Sequence, residues 1–160
     1  MSGQVEFFKS LGETAFGRLE RSTKELTAKE IDWRPMEEAN SISWILTHIS
    51  RICNVGFPRI FKGDSTYTPK GWPEDYVGNK SYSLEKIMGD LEKGKNTVIR
   101  GLGELTQVDL EADIPLWGGT RRRDFAVMVY LSEIIHHAGQ IAYLKGAIGR
   151  RREKDSSFLA

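Results

Sequence analysis

Residues 130–141 form the stretch that decides the fold, and they run Tyr130-Leu131-Ser132-Glu133-Ile134-Ile135-His136-His137-Ala138-Gly139-Gln140-Ile141. Glu133 and His137 are four residues apart, so on a helix both side chains project from one face. The same stripe continues at steps of three and four through apolar residues, which indicates that it faces the protein interior. We therefore expect Glu133 to be buried. His136 points about 100° away from this stripe, which favours a surface position or a supporting role beside the site.

A second histidine lies in another apolar stretch with helical spacing, Ile42-Ser43-Trp44-Ile45-Leu46-Thr47-His48-Ile49. Two facing helices could bring His48, Glu133 and His137 to one divalent ion and leave a coordination position open. A buried carboxylate costs several kcal/mol unless it is paired or bound to metal, which favours a metal site. The alternative is two unrelated histidines and an ordinary solvated glutamate.

Four segments have helical periodicity, at about residues 4–26, 43–61, 83–105 and 122–148. Pro58 predicts a kink or an early end in the second helix, and Gly149 is a candidate left-handed residue after the fourth. The connection 64–81 contains several aromatic residues, so we expect an ordered loop packed on the body. The connection 106–120 has the alternation of one short strand-like piece and a Gly118-Gly119 turn. The sequence predicts an all-α four-helix bundle, with long connections between helices 2 and 3 and between helices 3 and 4.

Length and composition limit the function classes. The 160 residues suit one domain, which we place at 1–149, followed by a basic and polar tail at 150–160. The 23 Lys and Arg nearly balance the 22 Asp and Glu, which argues against nucleic acid as the main partner. The single Cys53 fits a reducing compartment, and no segment is apolar enough for a membrane span. We expect a cytoplasmic protein with no membrane partner.

Three segments of the chain have a familiar order: Trp33-Arg34-Pro35, then Ser43-Trp44-Ile45-Leu46-Thr47-His48-Ile49, then His136-His137-Ala138-Gly139-Gln140-Ile141. Together they resemble the DinB/YfiT-like superfamily of metal-binding four-helix bundles. The resemblance implies one ligand histidine on the second helix and two, four residues apart, on the last. The corresponding positions are His48, 133 and His137, and this chain departs from the pattern because position 133 is Glu.

The departure at Glu133 has chemical consequences. Two histidines and one glutamate form a catalytic zinc set, and they also suit Fe(II), Ni(II) or Mn(II). The carboxylate makes the site more negative, so a bound water is less acidic than it is beside three neutral imidazoles. The other interpretation is that Glu133 marks a degraded metal site.

The resemblance implies a metal-dependent thiol-transferase, because characterised relatives join small electrophiles to a low-molecular-weight thiol. A metal ion at an open site can bind a thiol and lower its pKa. In this interpretation Gln140 or Tyr130 orients the small-molecule substrate, and Arg121, Arg122 and Arg123 could recognise acidic groups. Two alternatives stay open: a non-enzymatic, stress-related binding module whose metal is structural or absent, and a metal-dependent hydrolase.

We also expect a homodimer. The chain has four Trp, five Tyr and seven Phe, which is a large aromatic surface for a bundle with a narrow core. Aromatic residues are enriched at protein interfaces. Members of the superfamily it resembles are often dimers.

Overall fold

The computed structural model describes residues 3–160 and shows a mostly helical chain with a small sheet. Its elements are α1 (Gly3–Thr23), α2 (Ile42–Arg51), a π-helical turn (Ile52–Gly56), α3 (Phe57–Lys62), α4 (Leu84–Glu104), α5 (Gln107–Glu111), β1 (Asp113–Leu116), β2 (Gly119–Arg122) and α6 (Arg123–Lys154). The prediction of an all-α protein is confirmed in this broad sense, and the four-helix bundle remains a prediction. Across residues 3–160, every helix is too short or too polar to cross a membrane.

The long helices share one apolar core. Helix α1 packs against α4 and α6, and α2 packs against the same two helices. The Gln4 amide donates a 3.0 Å hydrogen bond to the Asp124 carboxylate, so α1 and α6 begin at the same end of the molecule. The core consists mainly of buried Ile and Leu side chains from all four helices, among them Leu46, Ile87 and Ile134.

The continuous helical segment from α2 through the π-helical turn to α3 begins and ends as local sequence rules require. The Ser41 hydroxyl caps α2 by accepting from the backbone N–H of Trp44 at 3.2 Å. Pro58 does not end the helical segment. Proline has no backbone N–H to donate, and the preceding π-helical turn, with its i→i+5 hydrogen bonds, lets the helical backbone continue through this position. Gly63, at φ 64°, closes the helix in the left-handed conformation.

The loop between α3 and α4 packs on α2 and α4, as the sequence predicts. Tyr76 is buried, and its hydroxyl donates to the Asp90 carboxylate at 2.7 Å. The backbone N–H of Gly78 donates to the Thr47 hydroxyl at 3.0 Å. A Cβ at Gly78 would lie 2.8 Å from the Trp44 ring, and the φ of 77° also favours glycine. This loop therefore covers the face of α2 that contains Trp44.

The connection before α6 forms a short helix and a hairpin instead of one strand-like piece. β1 pairs antiparallel with β2, with Leu116 opposite Gly119. The two-residue turn consists of Trp117 and Gly118, both with positive φ, which is the type I′ geometry that matches strand twist. The turn therefore lies one residue before the predicted Gly118-Gly119 pair.

The predicted end of the last helix at Gly149 is wrong. Helix α6 continues through Gly149 to Lys154. Its last turn is held by Arg152, which donates to the buried Glu30 carboxylate at 2.6 Å and to the carbonyls of Phe158 and Leu159. These tertiary contacts outweigh the modest cost of an interior glycine.

Candidate metal centre

The structure brings the three predicted ligands together. Helix α2 provides His48, and α6 provides Glu133 and His137, one helical turn apart. One ligand atom from each residue lies within 4.8 Å of the others. Atoms that share one ion with bonds of roughly 2.0–2.2 Å lie within such a distance of one another. The group is therefore compact enough to hold a single divalent cation.

His137 has one ring nitrogen that is hydrogen-bonded and another, buried, that is not. Its side chain is only 9% exposed, and its Nδ1 lies 2.8 Å from the Gln140 amide oxygen. Because an amide oxygen can only accept, Nδ1 carries a proton, and Nε2 is the ring nitrogen that can bind a metal when it is unprotonated. Nε2 is buried and lies 3.2 Å from a Glu133 oxygen, but the pair does not have the geometry of a hydrogen bond. A buried ring nitrogen without a hydrogen bond is unusual, and a divalent cation would satisfy it.

His48 is held as a neutral imidazole. Its ring stacks on Trp44, with centroids 5.2 Å apart and planes 14° apart. The same ring meets His137 edge to face at 4.8 Å. Burial lowers the pKa of His48 below its usual value. The charge of Arg51, and that of His137 when it is protonated, lower the pKa further, and Glu133 opposes the shift. The neutral form, which binds metals, is thus the favoured state at neutral pH.

The expectation that Glu133 is buried is wrong, because its side chain is 44% exposed. Four residues advance 400° around a helix, so Glu133 lies about 40° away from His137. That offset places Glu133 at the solvent-facing edge of the groove between α2 and α6. Water can therefore solvate the carboxylate, and its position does not by itself require a metal.

Gln140 contacts the site through both ends of its amide. Its oxygen accepts from His137, and its nitrogen donates to Nε2 of the exposed His136 at 3.1 Å. Second contacts of this kind fix the tautomer and orientation of ligand histidines. These contacts orient the ring of His137, and the predicted substrate-binding role of Gln140 stays a prediction.

Tyr130 packs away from this hydrogen-bond network. Its hydroxyl accepts from the Trp117 indole N–H at 3.2 Å, and its ring packs on Phe57. Gly56 makes room for the ring, since a Cβ there would lie 2.6 Å from it. These contacts join α6 to the hairpin and to the start of α3, and a role for Tyr130 toward substrate stays a prediction.

The three arginines before α6 are largely engaged within the chain. Arg123 donates to the carbonyls of Ile60 and Asp109, at 3.0 and 2.6 Å. Arg122 forms a two-bond ion pair with Asp124, and Arg121 donates to the Thr120 carbonyl. The first contacts tie α6 to α3 and α5, which explains the positive charge at this helix start.

Trp44 is the contact that the sequence reasoning missed. It precedes His48 by four residues in one helix, and that spacing places the two rings on the same face. The four-residue spacing could therefore have predicted that the Trp44 ring contacts the His48 ring.

Comparison with known proteins identifies the fold and the family of this chain. A crystal structure titled as the conserved protein of locus from Enterococcus faecalis superposes with a TM-score of 0.64 at 13% identity, covering 90% of this chain and 95% of that chain. At that identity the likeness concerns the fold alone. No functionally curated protein matches the chain. The sequence profile of the DinB superfamily matches residues 12–141, which is most of the chain. The chain belongs to the DinB superfamily.

Proposed function

We propose that this protein binds one divalent metal ion through His48, Glu133 and His137 and uses it to transfer a low-molecular-weight thiol to a small electrophile. The observation on which the proposal rests is the buried Nε2 of His137, which faces the other two ligands without a hydrogen bond. The donor set of two imidazoles and one carboxylate suits Zn(II), and also Fe(II), Ni(II) or Mn(II). We further propose that α1, the α2–α3 segment, α4 and α6 form the four-helix bundle around this site.

The protein's own residues prepare the site. Gln140 keeps the proton on Nδ1 of His137, and Trp44 holds the ring of His48 in place. The exposed Glu133 marks the side from which small molecules reach the ligands. A bound metal ion stabilises the thiolate form of a thiol at neutral pH. The thiol sulfur then forms a bond to the electrophilic carbon, the leaving group departs with its electron pair, and the thiol proton passes to solvent.

Metal titration followed by a transfer assay tests the proposal. Chelator-treated protein should take up about one Zn(II) or Ni(II) per chain by isothermal titration, and a His48→Ala variant should lose most of this affinity. The loaded protein should join cysteine or glutathione to 1-chloro-2,4-dinitrobenzene and release chloride faster than the His48→Ala variant. Metal uptake without thiol transfer would indicate a binding module or a hydrolase. No uptake by the wild-type protein would refute the metal site.

We also propose a homodimer. The single chain exposes several large apolar side chains, among them Phe7, Phe125, Met128 and Trp117. Exposed aromatic and methionine side chains are typical of interfaces. Light scattering should give twice the chain mass of 18.1 kDa at micromolar concentration, and the chain mass itself would contradict the dimer.

A further inference from the structure

A cleft of about 460 Å³ lies beside the candidate metal centre, between α6 and the segment that leads into α2. Gln140 and His136 line it from α6, and both belong to the hydrogen-bond chain that ends at the ligand His137. Ile45, one turn before His48, lines the opposite wall. A molecule in this cleft would therefore lie within about one helical turn of two of the metal ligands.

The walls of the cleft are mainly apolar. Apolar side chains such as Pro35, Ile45 and Leu144 form most of the surface, and the ring of Tyr143 is 66% exposed along its edge. Within residues 3–160, no Lys, Arg, Asp or Glu lines the cleft. Moving a carboxylate or phosphate from water into such a site without a cation is unfavourable.

The polar groups of the cleft can still orient a neutral ligand. The His136 ring and the Gln140 amide lie 3.1 Å apart, and both line the cleft with atoms that can form hydrogen bonds. Asn40 adds an amide at the same cleft. Gly139 leaves space, because a Cβ there would meet nothing within 4 Å. Large apolar walls with a few hydrogen-bonding groups are typical of small-molecule sites.

We infer that this cleft binds the uncharged, apolar part of the substrate, such as an aromatic ring with one hydrogen-bond acceptor. The inference rests on the proposed function, in which the bound molecule is the electrophile that meets the thiol at the metal centre. It restricts that substrate to neutral apolar compounds and excludes anionic ones from the cleft.

A glycine pair offers matched variants for the test. Gly139→Leu adds a side chain into the open cleft, and Gly89→Leu adds the same side chain on α4, away from the cleft. Both glycines are exposed and helical, with nothing within 4 Å of a new Cβ, so both variants should fold. Tyr143→Ala removes an exposed wall and provides a second perturbation with little effect on packing.

The probes are 1-naphthalenemethanol, which is neutral, and 1-naphthoate, which carries a carboxylate on the same ring system. Binding is measured by isothermal titration on chelator-treated protein, so that no metal ion can hold the carboxylate. The alcohol should bind the wild type and Gly89→Leu equally, and at least about tenfold more weakly to Gly139→Leu and Tyr143→Ala. The naphthoate should bind the wild type at least about tenfold more weakly than the alcohol.

Three results would overturn the inference: no binding of the alcohol, equal binding by Gly139→Leu, or naphthoate binding as tight as that of the alcohol. The last result would point to the groove on the other side of Gly139, which is lined by Arg18 and Arg21. Repeating the titrations on His48→Ala separates the two proposals. If the alcohol still binds to His48→Ala and the wild-type protein takes up no metal, the metal site is refuted and the cleft assignment stands.

Discussion

Replacing Glu133 tests whether this residue is a metal ligand or only a solvated side chain near two histidines. Glu133→Ala removes a candidate ligand oxygen, whereas Glu133→His replaces it by the imidazole that the superfamily pattern places there. The side chain is 44% exposed, so neither change removes much packing. Without metal, both variants should unfold within about ±0.5 kcal/mol of the wild type.

The difference should appear when metal is added. At a free metal concentration of 100 Kd for the wild type, binding should stabilise the folded chain by about 2.7 kcal/mol. If Glu133→Ala weakens binding about 100-fold, the same concentration stabilises it by only about 0.4 kcal/mol. For a chain of 160 residues, 1 kcal/mol shifts Tm by roughly 2–4 °C, so the two proteins should differ by roughly 5–9 °C. Glu133→His should keep most of the metal-induced shift.

Thermal unfolding with and without Zn(II), supported by isothermal titration, measures this difference. An equal metal-induced shift for the wild type and Glu133→Ala would show that Glu133 is not a ligand. If metal-free Glu133→Ala is less stable than the wild type by more than about 1 kcal/mol, the Glu133 side chain makes stabilising contacts and is not simply solvated.

Three further predictions concern the surroundings of the site and the end of α6. Gln140→Leu should weaken Zn(II) binding about 10- to 100-fold, and Gln140→Glu, which keeps an acceptor, should retain it by isothermal titration. Arg152→Ala should destabilise the chain by about 1–3 kcal/mol in urea unfolding, since it leaves the buried Glu30 carboxylate without its guanidinium partner, and the exposed Arg150→Ala should change little. In metal-free protein, the lowered pKa of His48 means that the unfolded chain takes up the proton at higher pH. Its contribution to stability is therefore complete above the usual value of 6.5 and is lost as the pH falls through the folded value, so a His48→Gln variant should lose less stability on acidification.

The sequence predicted that His48, Glu133 and His137 would lie together, because helical spacing relates distance along the chain to position in space. Glu133 and His137 had to share a face of α6, and the apolar stripe of α2 oriented His48 toward the same interior. The ends of the helices near the site also followed local rules, with Ser41 as the cap and Gly63 as the left-handed stop.

The errors arose where tertiary contacts decided the outcome. Gly149 was expected to end α6, but Arg152 and its partners extend the helix. The arginines around position 123 resembled an anion site in sequence, yet Arg123 is occupied by two backbone carbonyls that come from distant segments. Residues four apart on a helix point in directions that differ by about 40°. Because of this difference, His137 is buried and Glu133 is half-exposed, although both lie on the same face.

The exposure of Glu133 changes the argument for a metal in a specific way. A buried, unpaired carboxylate would have required a cation for stability, and a half-exposed carboxylate does not, because water can solvate it. Support for a metal ion therefore comes from His137. Its buried Nε2 has no hydrogen bond, and the contact with Gln140 fixes a proton on Nδ1. The metal-free protein should therefore be stable, with this ring nitrogen already in position to bind an ion. A site of this kind can take up metal without folding around it, so removal of the ion should lower Tm but should not unfold the chain.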